Sequence, residues 1–139
     1  SMLEAINVFC ERTGQEKPEN DAQVIRLIFE SLALRYRQVL EDLDRIATHP
    51  IERLHIIGGG SKNRLLNQLT ANAIGRKVIA GPSEATAIGN VMIQAMAAGV
   101  VSSLQEMRSI IHASVETEEF APELVAEWEE AYQKFVTLK

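Results

Sequence analysis

The sequence predicts an α/β fold in which helices cover a parallel sheet, and three observations carry that prediction. Two short apolar runs, Leu54 to Ile57 and Lys77 to Ala80, have the length and composition of buried strands. Each is followed at once by a glycine-containing turn and a segment of helical periodicity, which makes two βα units. Both units sit between segments whose apolar residues recur at helical spacing, so the chain is helix-rich around a small sheet.

Taken in order, Met2 to Arg12 places Leu3, Ile6, Val8, Phe9 and Cys10 at helical spacing before a stop at Gly14. Ser1-Met2 (residues 1-2) reads as the remnant of a cleaved expression tag, so the domain is counted as 3-139. A polar linker containing Pro18 leads to Asn20 and Gln23, the beginnings of a capping box. From Val24 a stripe persists through Leu27, Ile28, Leu32, Tyr36, Val39, Leu40, Leu43 and Ile46, which predicts a long amphipathic helix with that stripe facing the core. Arg26, Glu30, Arg35, Arg37, Glu41, Asp42 and Arg45 form its solvated face. His49-Pro50 ends it, because a residue before proline is pushed out of the α region.

After the first strand, Gly58 to Gly60 make a loop, Ser61 is the expected N-cap, and Leu65, Leu66, Leu69, Ala73 and Ile74 mark a helix stopped by Gly75. After the second strand and Gly81-Pro82, Ser83 is the expected cap of a helix from Glu84 to Ala98, rich in small residues that allow close backbone approach. A further helix is expected from about Leu104 to Ala113, then an extended acidic segment from Ser114 to Ala121. A last amphipathic helix runs from Pro122, with Leu124, Trp128, Tyr132, Phe135 and Val136 on one side. No internal repeat or low-complexity segment interrupts this order.

Two strands are too few for a stable sheet, since an isolated pair is marginal in water and both outer edges stay unpaired. The expectation is therefore an incomplete sheet whose other strands lie upstream of Leu3 in the natural protein. Self-association would then cover the exposed strand edge or the apolar face beneath it; a monomer with a fully paired sheet would contradict this.

With 139 residues, 46% apolar and 24% charged, the chain suits one soluble globular domain. A net charge of -5 argues against binding nucleic acid through a basic face. A single cysteine, Cys10, can form no internal disulfide and suits a reducing compartment, the cytoplasm. No apolar run has the roughly 18 residues of a membrane span, and no basic-then-apolar leader opens the chain.

Chemistry is concentrated in Arg53 to Asn63, RLHIIGGGSKN. Three glycines after a strand let the backbone approach a ligand where any Cβ would collide, and the following helix start offers N–H groups and partial positive charge. The same glycines can equally make no more than a tight strand-to-helix turn. Neither common phosphate motif fits: Asn63 stands where G-x-G-x-x-G needs its last glycine, and no G-x-x-x-x-G-K-[ST] is present. Asn63, about one turn into the helix, could offer donor and acceptor to a base edge or ribose hydroxyl, although on spacing alone helix-surface polarity is the simpler reading. Lys62 could meet phosphate and Thr86 could line the same cleft; solvation and ordinary packing are the plainer roles. Ser61 has no recognisable His-acid partner and reads as a cap, not a nucleophile. His49, His55 and His112 lack metal-ligand spacing, the acidic stretch Glu116 to Glu119 reads as solvated surface, and Trp128 and Tyr132 read as core. No metal site is expected within these residues. On the residues alone the chain is an α/β segment with a nucleotide-binding signal and no assigned reaction.

The segment Leu54 to Gly99, LHIIGGGSKNRLLNQLTANAIGRKVIAGPSEATAIGNVMIQAMAAG, resembles the C-terminal domain of the FGGY family of carbohydrate kinases. The ordered pattern of strand, GGG, small residue, any residue, Asn, then LLNQ and an EATAxGN helix is far more specific than a lone glycine motif. The proline-containing run Ala80 to Asn90 narrows the implied sugar to L-rhamnulose, phosphorylated to its 1-phosphate. The resemblance implies part of an actin-like ATPase domain of ribonuclease H type, in which three strands precede the long helix and the two strands here are the last of five. It implies transfer of the ATP γ-phosphoryl group to a sugar hydroxyl with Mg²⁺, leaving ADP. Carried over by position, Gly58, Gly59 and Gly60 are similar to the adenosine-binding loop, with Gly59 foremost, and Asn63 to the adenine-side contact. The family's aspartate base, its other phosphate loop and its sugar-binding residues precede this segment, so no catalytic residue is assigned and these residues alone are expected to be inactive. Two alternatives stand beside this reading: a non-catalytic actin-like nucleotide-binding module, and a helical interaction module in which GGG is only a turn.

Overall fold

A computed structural model describes residues 1–138. Three strands and six α-helices follow one another as α1 (Met2–Arg12), α2 (Asp21–Ile46), β1 (Arg53–Ile56), α3 (Arg64–Ile74), β2 (Lys77–Ala80), α4 (Ala85–Ala97), α5 (Leu104–Ser114), β3 (Glu118–Phe120) and α6 (Val125–Thr137), with a short 3₁₀ turn at Gly59–Lys62. β1 and β2 pair in parallel, Arg53 opposite Lys77 and Ile56 opposite Ala80, which is the βα arrangement the sequence predicts.

The expected two-stranded sheet is corrected to three strands in the order β1-β2-β3. β3 runs antiparallel along the other edge of β2, with Phe120 opposite Val78 and Glu118 opposite Ala80. It is the middle of the expected extended acidic segment; only Phe120 is apolar and buried, so alternation over three residues carries too little signal to announce a strand. β2 is thereby central, and β1 keeps a partner on one side only.

One helical layer covers one face of this sheet. Leu54 and Ile56 of β1, Val78 and Ala80 of β2, and Phe120 of β3 pack with Leu40 of α2 and Ala71 and Ile74 of α3. Behind them Ala33 and Leu34 of α2, Leu69 and Ala73 of α3, and Trp128 and Tyr132 of α6 form a second cluster, joined by Phe29 and Phe135. Trp128 and Tyr132 are core residues, as their spacing predicts. Met92, Val101 and Met107 centre a third, separate cluster in which α4 packs on α5.

α2 starts where expected, Asn20 accepting the Gln23 N–H at 3.0 Å. Its expected inward stripe is only partly inward. Leu40 is buried, whereas Leu32, Tyr36, Val39 and Leu43 are 38–45% exposed and Ile46 is 79% exposed. The helix turns a different line, Phe29, Ala33, Arg37 and Leu40, toward α3 and α6, so it carries two apolar faces, of which the described residues cover one. α6 likewise leaves Leu124 and Val136 exposed and starts at Val125 instead of Pro122, because Leu124 turns through a positive φ of 52°. At the N-terminus Ser1, set aside in the sequence reading, caps α1 by a reciprocal box with Glu4.

Candidate functional site

The site forms at the carboxyl ends of β1 and β2, where open α/β sheets hold their ligands. Two loops leave there and are laced together: Gly81 N–H donates to Ile56 C=O at 2.8 Å and Gly58 N–H donates to Pro82 C=O at 3.0 Å. Gly81 has φ +114°, and a Cβ on it would lie 3.0 Å from the Glu116 carbonyl oxygen, so no other residue fits between the loop and the segment leading to β3.

The glycine loop turns sharply at Gly58, whose φ of +75° favours glycine. Gly59 and Gly60 differ. Neither has a left-handed φ, a Cβ on Gly59 would meet no atom of the protein within 4 Å, and one on Gly60 would meet only Ile56 Cγ2 at 3.9 Å. Nothing inside the described residues excludes a side chain at either, and both are exposed. Their N–H groups also find no acceptor among the described residues. Bare backbone with free donors at the mouth of a parallel sheet fits a polar ligand lying against the loop.

The expected cap at Ser61 is corrected. Ser61 belongs to the 3₁₀ turn, its N–H and hydroxyl both donating to Gly58 C=O at 3.0 and 2.7 Å. Asn63 is the N-cap of α3, its Oδ1 accepting the Leu66 N–H at 3.1 Å. The inserted turn moves the helix start two residues along, and Ser and Asn are both good caps, so sequence preference alone does not choose between them. Asn63 thus lies at the helix entrance, not a turn inside it, and its side-chain acceptor is partly engaged. Gly58, Gly59, Gly60 and Asn63 all lie on this one loop. Ser83 is corrected in the same way: the N-cap position of α4 falls on Glu84, with no side-chain cap bond.

The other candidates scatter. His49, His55 and His112 are exposed on separate elements, and among the described residues no group of three or more His, Cys, Asp or Glu side chains comes together as a metal site. Glu118 pairs with Arg64 at 2.5 Å and Glu119 with Lys77 at 2.8 Å, so the acidic stretch ties β3 to α3 and β2. The bond from Lys77 holds the Glu119 carboxyl below its ordinary range. Lys62 and Thr86 are exposed, on the glycine loop and at the second residue of α4.

A polar cavity of about 180 Å³ between α2, α3 and α6 has cations of its own, but they are already paired. Arg37 lies over the Tyr132 ring at 3.9 Å from its centroid and bonds Glu41 at 3.0 Å and Glu129 at 2.5 Å. Burial acts to lower the Arg37 pKa, and the two carboxylates outweigh it. Arg76 grips Asp44 through two bonds, 2.6 and 3.2 Å, and holds that carboxyl below its ordinary range. These pairs fasten helices together and leave no free cation there for a ligand.

The sequence reading passed over the amides of α3. Asn67 and Asn72, with Thr70 between them, are buried polar residues among the apolar ones of this helix. Asn72 Oδ1 accepts from Gln68 Nε2 at 2.8 Å and from the Glu123 backbone N–H at 2.9 Å, which holds the segment after β3. The available signal was three amides and a threonine in an eleven-residue helix that must be mostly enclosed.

The fold and loop define an α/β domain of helices around a small three-stranded sheet, and comparison with known proteins specifies it. Residues 2–98 match the model of the FGGY family of carbohydrate kinases, C-terminal domain, and the chain belongs to that family. It is 57% identical over 134 residues to a rhamnulokinase of Bacteroides thetaiotaomicron, covering 96% of this chain and 28% of that protein. To a rhamnulokinase of Klebsiella pneumoniae it is 43% identical over 122 residues, 88% of this chain and 25% of that one. The crystal structure of xylulose kinase from Rhodospirillum rubrum superposes with a TM-score of 0.68 over 90% of this chain and 25% of that one, at 24% identity. The fold is therefore part of an actin-like ATPase domain, as expected. The chain spans about a quarter of the length of these curated relatives.

Proposed function

We propose that this chain is the nucleotide-side lobe of an ATP-dependent sugar kinase that phosphorylates L-rhamnulose at its terminal hydroxyl, giving L-rhamnulose 1-phosphate and ADP. Family membership and the rhamnulokinase relatives support the reaction class and the sugar. The observation that carries the nucleotide reading is the open face of Gly59 and Gly60, glycines required by neither backbone conformation nor internal packing, with unpartnered N–H groups.

On this reading the bare loop takes the adenosine side of ATP or ADP, Gly58 turns the chain so that Gly59 and Gly60 face it, and Asn63 presents its remaining amide donor beside it. Mg²⁺, when bound with the nucleotide, would supply charge neutralisation on the transferring phosphoryl group, and no residue of this chain is assigned to hold it. No residue of this chain is assigned the proton transfer. Ser61, the one hydroxyl on the loop, donates to Gly58 C=O and serves structure. The buried free thiol of Cys10 suits a reducing cytoplasm. No helix among the described residues is long and apolar enough to cross a membrane.

The test is a coupled ADP-release assay of the full-length protein with a panel of ketoses. L-Rhamnulose is expected to give the highest kcat/KM, and residues 1–139 alone are expected to give no turnover and weak ADP binding. A full-length protein that binds ATP but phosphorylates no sugar would favour a non-catalytic module.

A further inference from the structure

We infer that Asn67 is a positioning residue for the glycine loop, holding the Ser61 carbonyl from within the core so that Gly59 and Gly60 are presented to nucleotide; this rests on the loop being the nucleotide site. Asn67 is fully enclosed, 0% exposed, in the second turn of α3. Its Nδ2 donates to the Ser61 carbonyl at 2.8 Å, and its Oδ1 has no partner among the described residues. Turning the amide over would set two acceptors against each other, so the donor must face Ser61 and the acceptor must be the end left unpaired.

An unpaired buried acceptor is costly, and an apolar residue of similar branching would avoid that cost. Leucine already fills positions 65, 66 and 69 of the same helix. What the amide holds in return is one group, and that group belongs to the loop. Among the remaining loop bonds, Gly58 N–H reaches Pro82 C=O on the neighbouring loop, while Gly58 C=O is held by Ser61 and Gly60 C=O by the Asn63 N–H. Asn67 is the side chain that ties the turn to the packed helix beneath it. Because a peptide unit is planar and trans, fixing the Ser61 carbonyl fixes the plane of the 61–62 peptide, and with it the pitch of the turn. A loop so braced is pre-organised, and its ordering is not charged against nucleotide affinity.

The test compares Asn67→Leu, Asn67→Ala and Gly59→Val in the full-length enzyme. Loss of one loop-fixing hydrogen bond predicts that Asn67→Leu raises KM for ATP and Kd for ADP about tenfold. KM for the sugar and the melting temperature should stay near the wild-type values. Hydrogen exchange of the Ser61 and Asn63 amides, the bonded ones of the turn, should quicken in both Asn67 variants while that of β2 does not change. Unchanged KM for ATP in the Asn67 variants, with Gly59→Val strongly impaired, overturns the inference and leaves the nucleotide reading standing. Unimpaired Gly59→Val overturns both. Failure of both Asn67 variants to fold would make Asn67 a core residue only, which also overturns the inference.

Discussion

Tyr132 of α6 is buried with its hydroxyl donating to Glu41 Oε2 at 2.7 Å and its ring beneath the Arg37 guanidinium. Burial, with the carboxylate beside it, pushes the phenol up to about 12. The protonated form is thus favoured in the folded state, and its contribution is complete below the ordinary tyrosine value of about 10 and is lost as pH rises through the folded one. Urea unfolding is expected to show Tyr132→Phe about 1–2 kcal/mol less stable at pH 7. The difference should shrink between pH 10 and 12; a difference independent of pH would refute this account of the hydroxyl. At this scale the sequence was readable where one residue type answers one need. Gly58 had to turn the chain, and the Trp128 and Tyr132 spacing had to face a core. It was unreadable where two residues compete for one role, as Ser61 and Asn63 do for the cap. Asn67 escaped because its partner is a carbonyl six residues back in the chain, which no helical period encodes.

Among the elements, β3 and α2 depart most from their sequences. β3 holds to β2 by three register pairs, and Phe120, 6% exposed, is its one anchor in the core. Truncating such a ring costs about 3–5 kcal/mol, so Phe120→Ala should destabilise by that order in urea unfolding and speed hydrogen exchange at Val78 to Ala80. Breaking the solvent-exposed pair with Glu119→Gln should give no measurable change. Equal effects of the two would mean that β3 is held by charge instead. For α2 the periodicity correctly gave a long helix, which spans the 26 residues Asp21–Ile46 between its N-cap Asn20 and the segment before Pro50. Periodicity says which residues share a face and nothing about which face this chain covers. Leu32, Tyr36, Val39 and Leu43 share a face that the described residues leave open.

For the molecule as a whole, the open face of α2 and the unpaired side of β1 belong together. Both are left open among the described residues. Exposed apolar area and a free strand edge promote association. Residues 1–139 alone should therefore show a mass that rises with concentration in sedimentation, and Val39→Glu with Leu43→Lys should lower it. A monomer at all concentrations would contradict this. The fold class was legible because strand, glycine loop and helix recur twice in order, whereas the third strand was not, since a three-residue acidic strand is indistinguishable from a loop in sequence.

The most direct measurement of the central claim is calorimetric titration of ATP and ADP into the full-length protein, its Gly59→Val variant and its Asn63→Ala variant. A valine side chain would occupy the space against which the nucleotide is proposed to lie, so the account predicts a loss of at least about tenfold for Gly59→Val, with a smaller loss for Asn63→Ala. Binding equal to wild type in both variants would contradict it and leave Gly58 to Gly60 as nothing more than a strand-to-helix turn.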